Sequence, residues 1–305
     1  MEIKYLPNNE IDKTLWDNCI NNSLHPSIYG TSFYLDIFAG KWDALVVNNY
    51  EFVMPLIHKK KYAISYLYQP AYLPQIGIFS SKLIDESIIK SFIEKCFDLY
   101  KFIEISLLFP NYINFSKANL KTKKLNNFVL NLKFSYDTIK QNYLPSFHKS
   151  LRRLQKLTLN YTKNNNVEDT INSFKSLYLH KINSLKENDL VLFEKVCKGV
   201  KKDCLIRQVT DKDNIILASV ILLKYQNRLY NMQSFVTADG KRMEANYFLY
   251  DKIIEEFCNQ QYVLDFEGSS IKGIAAFYEK MNPENQPSLF IKYNNLPRLI
   301  KLIKK

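Results

Sequence analysis

The sequence predicts a mixed α/β fold, and three observations carry that expectation. Apolar strand-like runs interleave with segments of helical spacing in both halves of the chain. Its 305 residues are long for one core and comfortable for two of about 150 residues each. An apolar content of 47%, with 14% aromatics, supplies enough burial to offset ordering entropy and excludes a disordered chain. The expected units are 1–135 and 136–305.

Taken in order, 12–21 has helical spacing, and a short helix at 31–38 takes Thr31 or Ser32 as its cap. Strand-like runs follow at 42–47, 52–57 and 64–68, with Asn48-Asn49 turning the chain between the first two. A further strand is expected near 75–79. Ile84, Ile88, Phe92, Cys96 and Leu99 recur at steps of three and four, which predicts a helix over 84–99. Strands return at 102–108 and 126–132. Helices at 144–157, 167–181 and 190–201 then lead into strands at 204–209, 215–223 and 228–235, the last two joined by a turn at Gln226-Asn227. A polar stretch at 237–241, a helix at 243–258, a strand at 262–266, a helix at 271–281, a strand at 289–293 and a basic C-terminal helix complete the chain.

Composition narrows the function classes. Five cysteines form no CxxC pair, which suits a reducing compartment, and four histidines show no metal-binding spacing. No basic segment followed by an apolar one opens the chain, and the apolar run 215–223 is short of the roughly 20 residues that span a bilayer. These features lead to the expectation of a soluble, cytoplasmic protein with no metal, no integral membrane segment and no permanently bound cofactor. The net charge is +12, and residues 117–163 hold eleven Lys/Arg against one acid, Asp137. That concentration favours an anionic partner such as RNA, a phosphorylated cofactor or an acidic surface. A merely solvated lysine-rich surface is the plainer reading.

Four constellations can carry chemistry. Lys149, Arg152, Arg153 and Lys156 share one helix face opposite Leu144, Phe147, Leu151, Leu154 and Leu157, and Pro145 suits the first turn. Such a face either grips phosphates or is an ordinary amphipathic surface. The stretch Thr237-Ala-Asp-Gly-Lys-Arg242 precedes a helix, whose N-terminal N–H groups attract anions; Asp239 and Gly240 turn the chain there, and Lys241 and Arg242 add charge. A plain strand-to-helix connection is the alternative. The corner Asp265-Phe-Glu-Gly-Ser269 ends a strand, so in extended geometry Asp265 and Glu267 share a face. One of them can act as a general base toward an ammonium, or both can bind it, or they can cap the next helix together with Ser269 and Ser270. Finally, Tyr68, Gln69, Tyr72 and Gln75 surround two prolines in a loop that lines a pocket or packs over the core.

These residues also carry a resemblance. His148-Lys-Ser-Leu-Arg-Arg-Leu-Gln-Lys156, Glu244-Ala-Asn-Tyr-Phe-Leu-Tyr-Asp-Lys-Ile-Ile254, Leu264-Asp-Phe-Glu-Gly-Ser269 and Gly273-Ile-Ala-Ala-Phe-Tyr278 resemble the GNAT-like acyltransferase superfamily, nearest its FemABX branch. Trp42-Asp-Ala-Leu and Tyr68-Gln-Pro with Gly77-Ile-Phe79 look like the amino-terminal module of that branch. The resemblance implies two GNAT-like modules in tandem. It also implies transfer of an acyl or aminoacyl group, from acyl-coenzyme A or aminoacyl-tRNA, to the amine of a small or cell-envelope precursor. In that scheme 239–242 and the cations of 149–156 hold phosphates, Tyr278 protonates the leaving group, Glu267 orders or deprotonates the amine, and Tyr68, Gln69 and Gln75 help bind substrate. The resemblance implies a splay between the strands bearing Phe235 and Phe266 that admits the donor, whereas a closed sheet there argues for a degenerate module. The coenzyme A loop of ordinary GNAT enzymes reads Arg/Gln-x-x-Gly-x-Gly/Ala; aligned on Gly240, this chain has Thr237 first and Arg242 last. A bulky side chain at the last position obstructs approach of a pyrophosphate to the backbone, which shifts weight toward tRNA-borne donors. A non-catalytic module that binds RNA or an anionic surface through its basic segment is the alternative function.

Overall fold

The computed structural model describes residues 2–61, 64–108, 113, 115 and 117–297. Two compact units emerge, one formed by Met1–Leu125 with Pro287–Lys305 and the other by Asn126–Gln286. The first contains β1 (Ile3–Leu6), α1 (Lys13–Asn21), α2 (Ser32–Phe38), β2 (Asp43–Val47), β3 (Phe52–Leu56), β4 (His58–Lys61), β5 (Ile64–Leu67), α3 (Glu86–Leu99), β6 (Phe102–Leu108) and β7 (Leu120–Leu125). The second contains β8 (Phe128–Asn131), α4 (Tyr136–Gln141), α5 (Pro145–Leu154), β9 (Asn160–Asn164), α6 (Val167–Tyr178), α7 (Glu187–Val200), β10 (Cys204–Thr210), β11 (Ile216–Tyr225) and β12 (Arg228–Val236). It continues through α8 (Ala238–Arg242), α9 (Ala245–Phe257), β13 (Val263–Asp265), α10 (Lys272–Tyr278) and β14 (Glu284–Asn285), and β15 (Ser288–Asn294) follows.

The expected division at 135/136 is corrected at both ends. β8 pairs with β13 and so belongs to the second unit. β15 lies between β6 and β7 and so completes a sheet of the first, in the order β4-β5-β6-β15-β7. Strand pairing is a non-local choice that neither composition nor periodicity records. The expected basic C-terminal helix falls largely outside the described residues.

Local chemistry explains the element ends. Asp12, Thr31, Asp85, Ser135 and Asn166 each accept a backbone N–H in the first turn of the helix they precede, satisfying donors that have no intrahelical partner. Helix α5 stops at Leu154, short of the expected 157, which leaves Lys156 beyond its last turn and Leu157 exposed.

In the second unit a seven-stranded sheet runs β14-β8-β13-β12-β11-β10-β9. β11, flanked by β12 and β10, has residues 217–223 all buried. Val209, Ala218, Val220, Leu222 and Leu229 form one core with Phe147, Leu151 and Leu154 of α5 and Leu249, Ile253 and Phe257 of α9. Helix α6 contacts β12, and α7 contacts β10 and α6.

A charged clamp ties α9 to the far strands. Glu256 accepts two bonds from Arg207, at 2.7 Å each, one from Tyr161 at 2.6 Å, and pairs with Lys163 at 2.9 Å. Burial pushes this carboxyl up, but the Arg207, Tyr161 and Lys163 bonds outweigh it and hold it down at about 2, below its ordinary 4.5. Between those values the native state binds fewer protons than the unfolded chain. The contribution is therefore complete above about 4.5 and drains as the pH falls toward 2. Allowing for screening at its partly open edge, it amounts to about 2 kcal/mol. Urea unfolding across this pH range is expected to show that loss, and Glu256→Gln is expected to flatten it. A wild-type curve no steeper than the variant's would refute the clamp.

Candidate active site

Both units contain a strand–helix–strand succession whose strands pair in parallel, β5-α3-β6 and β12-α9-β13. They differ at the fork where those strands part. In the first unit, among the described residues, the pair holds only at Leu67 and Ile103. The following segment then fills the gap: Gln69 Oε1 accepts from Ser106 N–H at 2.6 Å, Ile76 N–H donates to Ser106 O at 2.9 Å, and Leu108 N–H donates to Ile76 O at 2.8 Å. Gln75 is buried beside this stitch, and Lys59 Nζ lies 4.2 Å from the centre of the Tyr68 ring. Tyr68, Gln69 and Gln75 therefore sit at a fork closed by its own chain.

In the second unit the fork stays open. β12 and β13 pair over three rungs, Arg228–Val263, Leu229–Leu264 and Tyr230–Asp265. Beyond Asp265 the chain keeps to β8, with Phe266 N–H on Phe128 O at 3.0 Å. β12 runs on through 231–236 paired with β11, and its register slips by one residue at Met232, a bulge that re-aims the strand. The strands bearing Phe235 and Phe266 thus part after the Tyr230–Asp265 rung.

Buried polar side chains floor this fork. Asn231 Nδ2 donates to Tyr278 Oη and Tyr250 Oη, at 2.7 Å each, and lies 3.2 Å from Phe266 O, bridging the two strands where they part. The two hydroxyls are 3.3 Å apart, and the Tyr278 ring stacks on Phe266 with centroids 4.5 Å apart. Burial, then the neighbouring Tyr250, pushes the Tyr278 phenol well above its ordinary 10, so it carries its proton at neutral pH. Asn231 is not singled out from the sequence, and Tyr250 enters there as part of the 244–254 segment that carries the resemblance, with no role in the site assigned. The available signal was the polar Asn231, Gln233 and Ser234 within a strand otherwise made for a core, since buried polar groups persist where they are hydrogen-bonded.

The acidic corner departs from the extended geometry expected of it. Asp265 is 0% exposed. Its carboxylate accepts from Asn127 Nδ2 at 3.3 Å and Glu267 N–H at 3.2 Å, and lies 3.5 Å from Arg228 Nη1. Burial pushes this carboxyl above the ordinary carboxylate range, and Arg228, the Glu267 amide and Asn127 pull it back only in part. Asp265 thus binds its own strands together below the fork. The strand ends there, and Glu267 follows in the left-handed region at φ 50°, so the two carboxylates are not neighbours on one extended face. Ser269 Oγ accepts from Phe128 N–H at 3.0 Å and Ser270 Oγ donates to Asn126 O at 3.1 Å; both anchor the corner to the chain around β8 rather than capping α10.

The expected anion loop at 237–242 is a short helix instead. Thr237 Oγ1 caps it by accepting from Gly240 N–H at 3.0 Å, Lys241 N–H bonds to Thr237 O at 2.9 Å, and Arg242 pairs with Asp239. Lys241 Nζ lies 5.6 Å from the centre of the Tyr178 ring. Gly240 has a packing role: a Cβ there would stand 2.1 Å from Leu217 O. On α5, Arg153 is tied to Glu244 and Ser150, while Lys149, Arg152 and Lys156 are exposed and have no ion-pair partner among the described residues. The acid missing from the local sequence thus arrives from 91 residues away. Among the described residues no helix is long and apolar enough to cross a membrane, and no group of three or more His, Cys, Asp or Glu side chains is placed to hold a metal.

No family model and no curated protein matches the chain by sequence. Solved structures do match it. It is similar to FemX, with a TM-score of 0.66 at 11% identity over 100% of both chains. The chain has a GNAT-like, FemX-type fold. The C-terminal domain of a putative lysylphosphatidylglycerol synthetase from Agrobacterium fabrum gives 0.58 at 12% identity, over 96% of this chain and 94% of that one. L-PGS from Bacillus licheniformis gives 0.55 at 8%, over 96% and 95%.

Proposed function

We propose that the second unit is an acyl or aminoacyl transferase that moves its group from an activated ester or thioester to an amine, with Tyr278 as proton donor to the leaving group. The observation that carries this reading is the open fork floored by the Asn231, Tyr250 and Tyr278 cluster. A carbonyl held in the fork is attacked by the amine nitrogen, the new C–N bond forms, and the bond to the leaving oxygen or sulfur breaks. The leaving group takes the Tyr278 proton, and the Tyr250 hydroxyl, 3.3 Å away, relays a replacement. Glu267, directly beyond the fork, is the proposed acceptor of the ammonium proton. Positioning of the two reactants supplies the larger part of the acceleration in such a scheme.

The donor we favour is aminoacyl-tRNA. Lys149, Arg152 and Lys156 leave three cations free for a phosphate backbone, whereas the helix at 238–242 has spent its polar groups internally. The lysylphosphatidylglycerol synthetase domain, by its name, builds an aminoacyl product on a similar fold. The acceptor is the amine of a small or cell-envelope precursor.

Bulk aminoacyl-tRNA and acetyl-coenzyme A, each offered with a panel of primary amines, test the reading. Wild-type protein is expected to transfer from tRNA, and Tyr278→Phe is expected to keep tRNA affinity while turnover falls about 100-fold. Unchanged turnover in the variant would remove Tyr278 from the chemistry. Binding of neither donor would overturn the transferase assignment.

A further inference from the structure

The open edge of β12 ends at an unusual contact. Thr237 N–H bonds to Leu217 O on β11 at 2.9 Å, so by alternation along an antiparallel strand the N–H and C=O of Val236 face the opposite edge, toward the fork. Both are met by one side chain. The Tyr178 hydroxyl donates to Val236 O at 3.0 Å and accepts from Val236 N–H at 3.4 Å. Tyr178 is the last residue of α6, and its ring is held firmly: it stacks on Phe174 with centroids 5.7 Å apart, and Lys181 and Lys241 place their ammonium groups 5.1 and 5.6 Å from its centre.

A strand edge is a template for any ligand with amides in an extended arm, which adds to it as an extra strand. Coenzyme A is such a ligand, because its pantetheine arm carries two amides between the thiol and the phosphates. For its thiol to reach the floor at Asn231 and its phosphates to reach the helix at 238–242, the arm must pass Val236. We infer that Tyr178 is a specificity-determining residue that closes this outer rung against pantetheine-bearing donors. The inference rests on the transferase reading for its consequence, a preference for donors activated as esters without such an arm. The contact itself stands apart from that reading.

Coenzyme A binding by calorimetry tests it without turnover. Wild-type protein is expected to bind with a dissociation constant above about 1 mM, and Tyr178→Ala to bind at least about tenfold more tightly. Tyr178→Phe separates the hydroxyl from the ring, because it keeps the packing on Phe174 and frees the Val236 groups. In that variant, hydrogen exchange at the Val236 amide is expected to rise about tenfold while other β12 amides stay unchanged. Wild-type binding as tight as that of Tyr178→Ala overturns the inference. So does failure of Tyr178→Ala to gain affinity, or an unaltered Val236 amide in a folded Tyr178→Phe protein. Transfer from aminoacyl-tRNA is scored separately, so loss of the transferase assignment and loss of this inference give different patterns.

Discussion

Replacing Asp265 by Ala is expected to destabilise the second unit by about 3–5 kcal/mol, the range for breaking a buried charge pair by deleting one partner. The carboxylate is fully buried and joins three separate pieces of chain: Asn127 before β8, Arg228 at the start of β12, and the amide of Glu267 at the turn. Deleting it removes the carboxylate facing the Arg228 guanidinium, itself 14% exposed, which keeps only neutral partners such as Gln286 among the contacts named, and takes one acceptor from the Asn127 and Glu267 donors. Two of the three rungs between β12 and β13 lie beside these groups, so the fork would lose its base as well. Urea unfolding followed by tryptophan-independent far-UV signal, read for the transition of this unit alone, measures the loss. A cost below about 1 kcal/mol would show that water replaces the carboxylate and that the corner is open.

Gly240→Ala is expected to cost about 3 kcal/mol, the upper part of the usual range for overpacking, because the obstacle is backbone. The added Cβ would meet Leu217 O at 2.1 Å, Leu217 C at 2.8 Å and Val236 Cγ2 at 2.9 Å. A carbonyl within β11 cannot swing aside without breaking its own pairing, so α8 must lift off the strand. For a unit of this size the melting temperature should fall by roughly 6–12 °C. Gly273 in α10 is the matched control: nothing lies within 4 Å of a Cβ built there, and Ala should be neutral or stabilising by about 0.5–1 kcal/mol through helix propensity. Equal melting points for wild type and Gly240→Ala would mean that α8 is not seated on β11.

The contrast at Gly240 shows how far the sequence could be read. A glycine between a strand and a helix suggests an anion loop, yet its absent side chain serves helix–strand contact. Arg153 makes the same point, because its partner Glu244 lies between α8 and α9 and no local pattern announces it. By comparison, helices such as α3 and α6 were legible, since an apolar stripe and a capping residue are properties of a short segment. Tyr278 was reached through resemblance, whereas Asn231, which orients its hydroxyl, was not.

By itself the sequence determined the mixed α/β class, most of the longer helices and core strands, and a concentration of positive charge between residues 117 and 163, all of which follow from local periodicity and composition. It did not announce β1, β4, β7, α4 or β9, and the strand expected at 75–79 is only a pair of isolated bridges at Ile76 and Phe79. Only the tertiary structure decided where the units divide, since β15 belongs with β6 and β7 by hydrogen bonds across the fold. It also decided which fork is open. The same strand–helix–strand order is closed in one unit by Gln69 and Ile76 and left open in the other above Asp265. The physical reason is that a strand's free edge depends on which distant backbone or side-chain groups reach it, and that geometry is absent from any single segment.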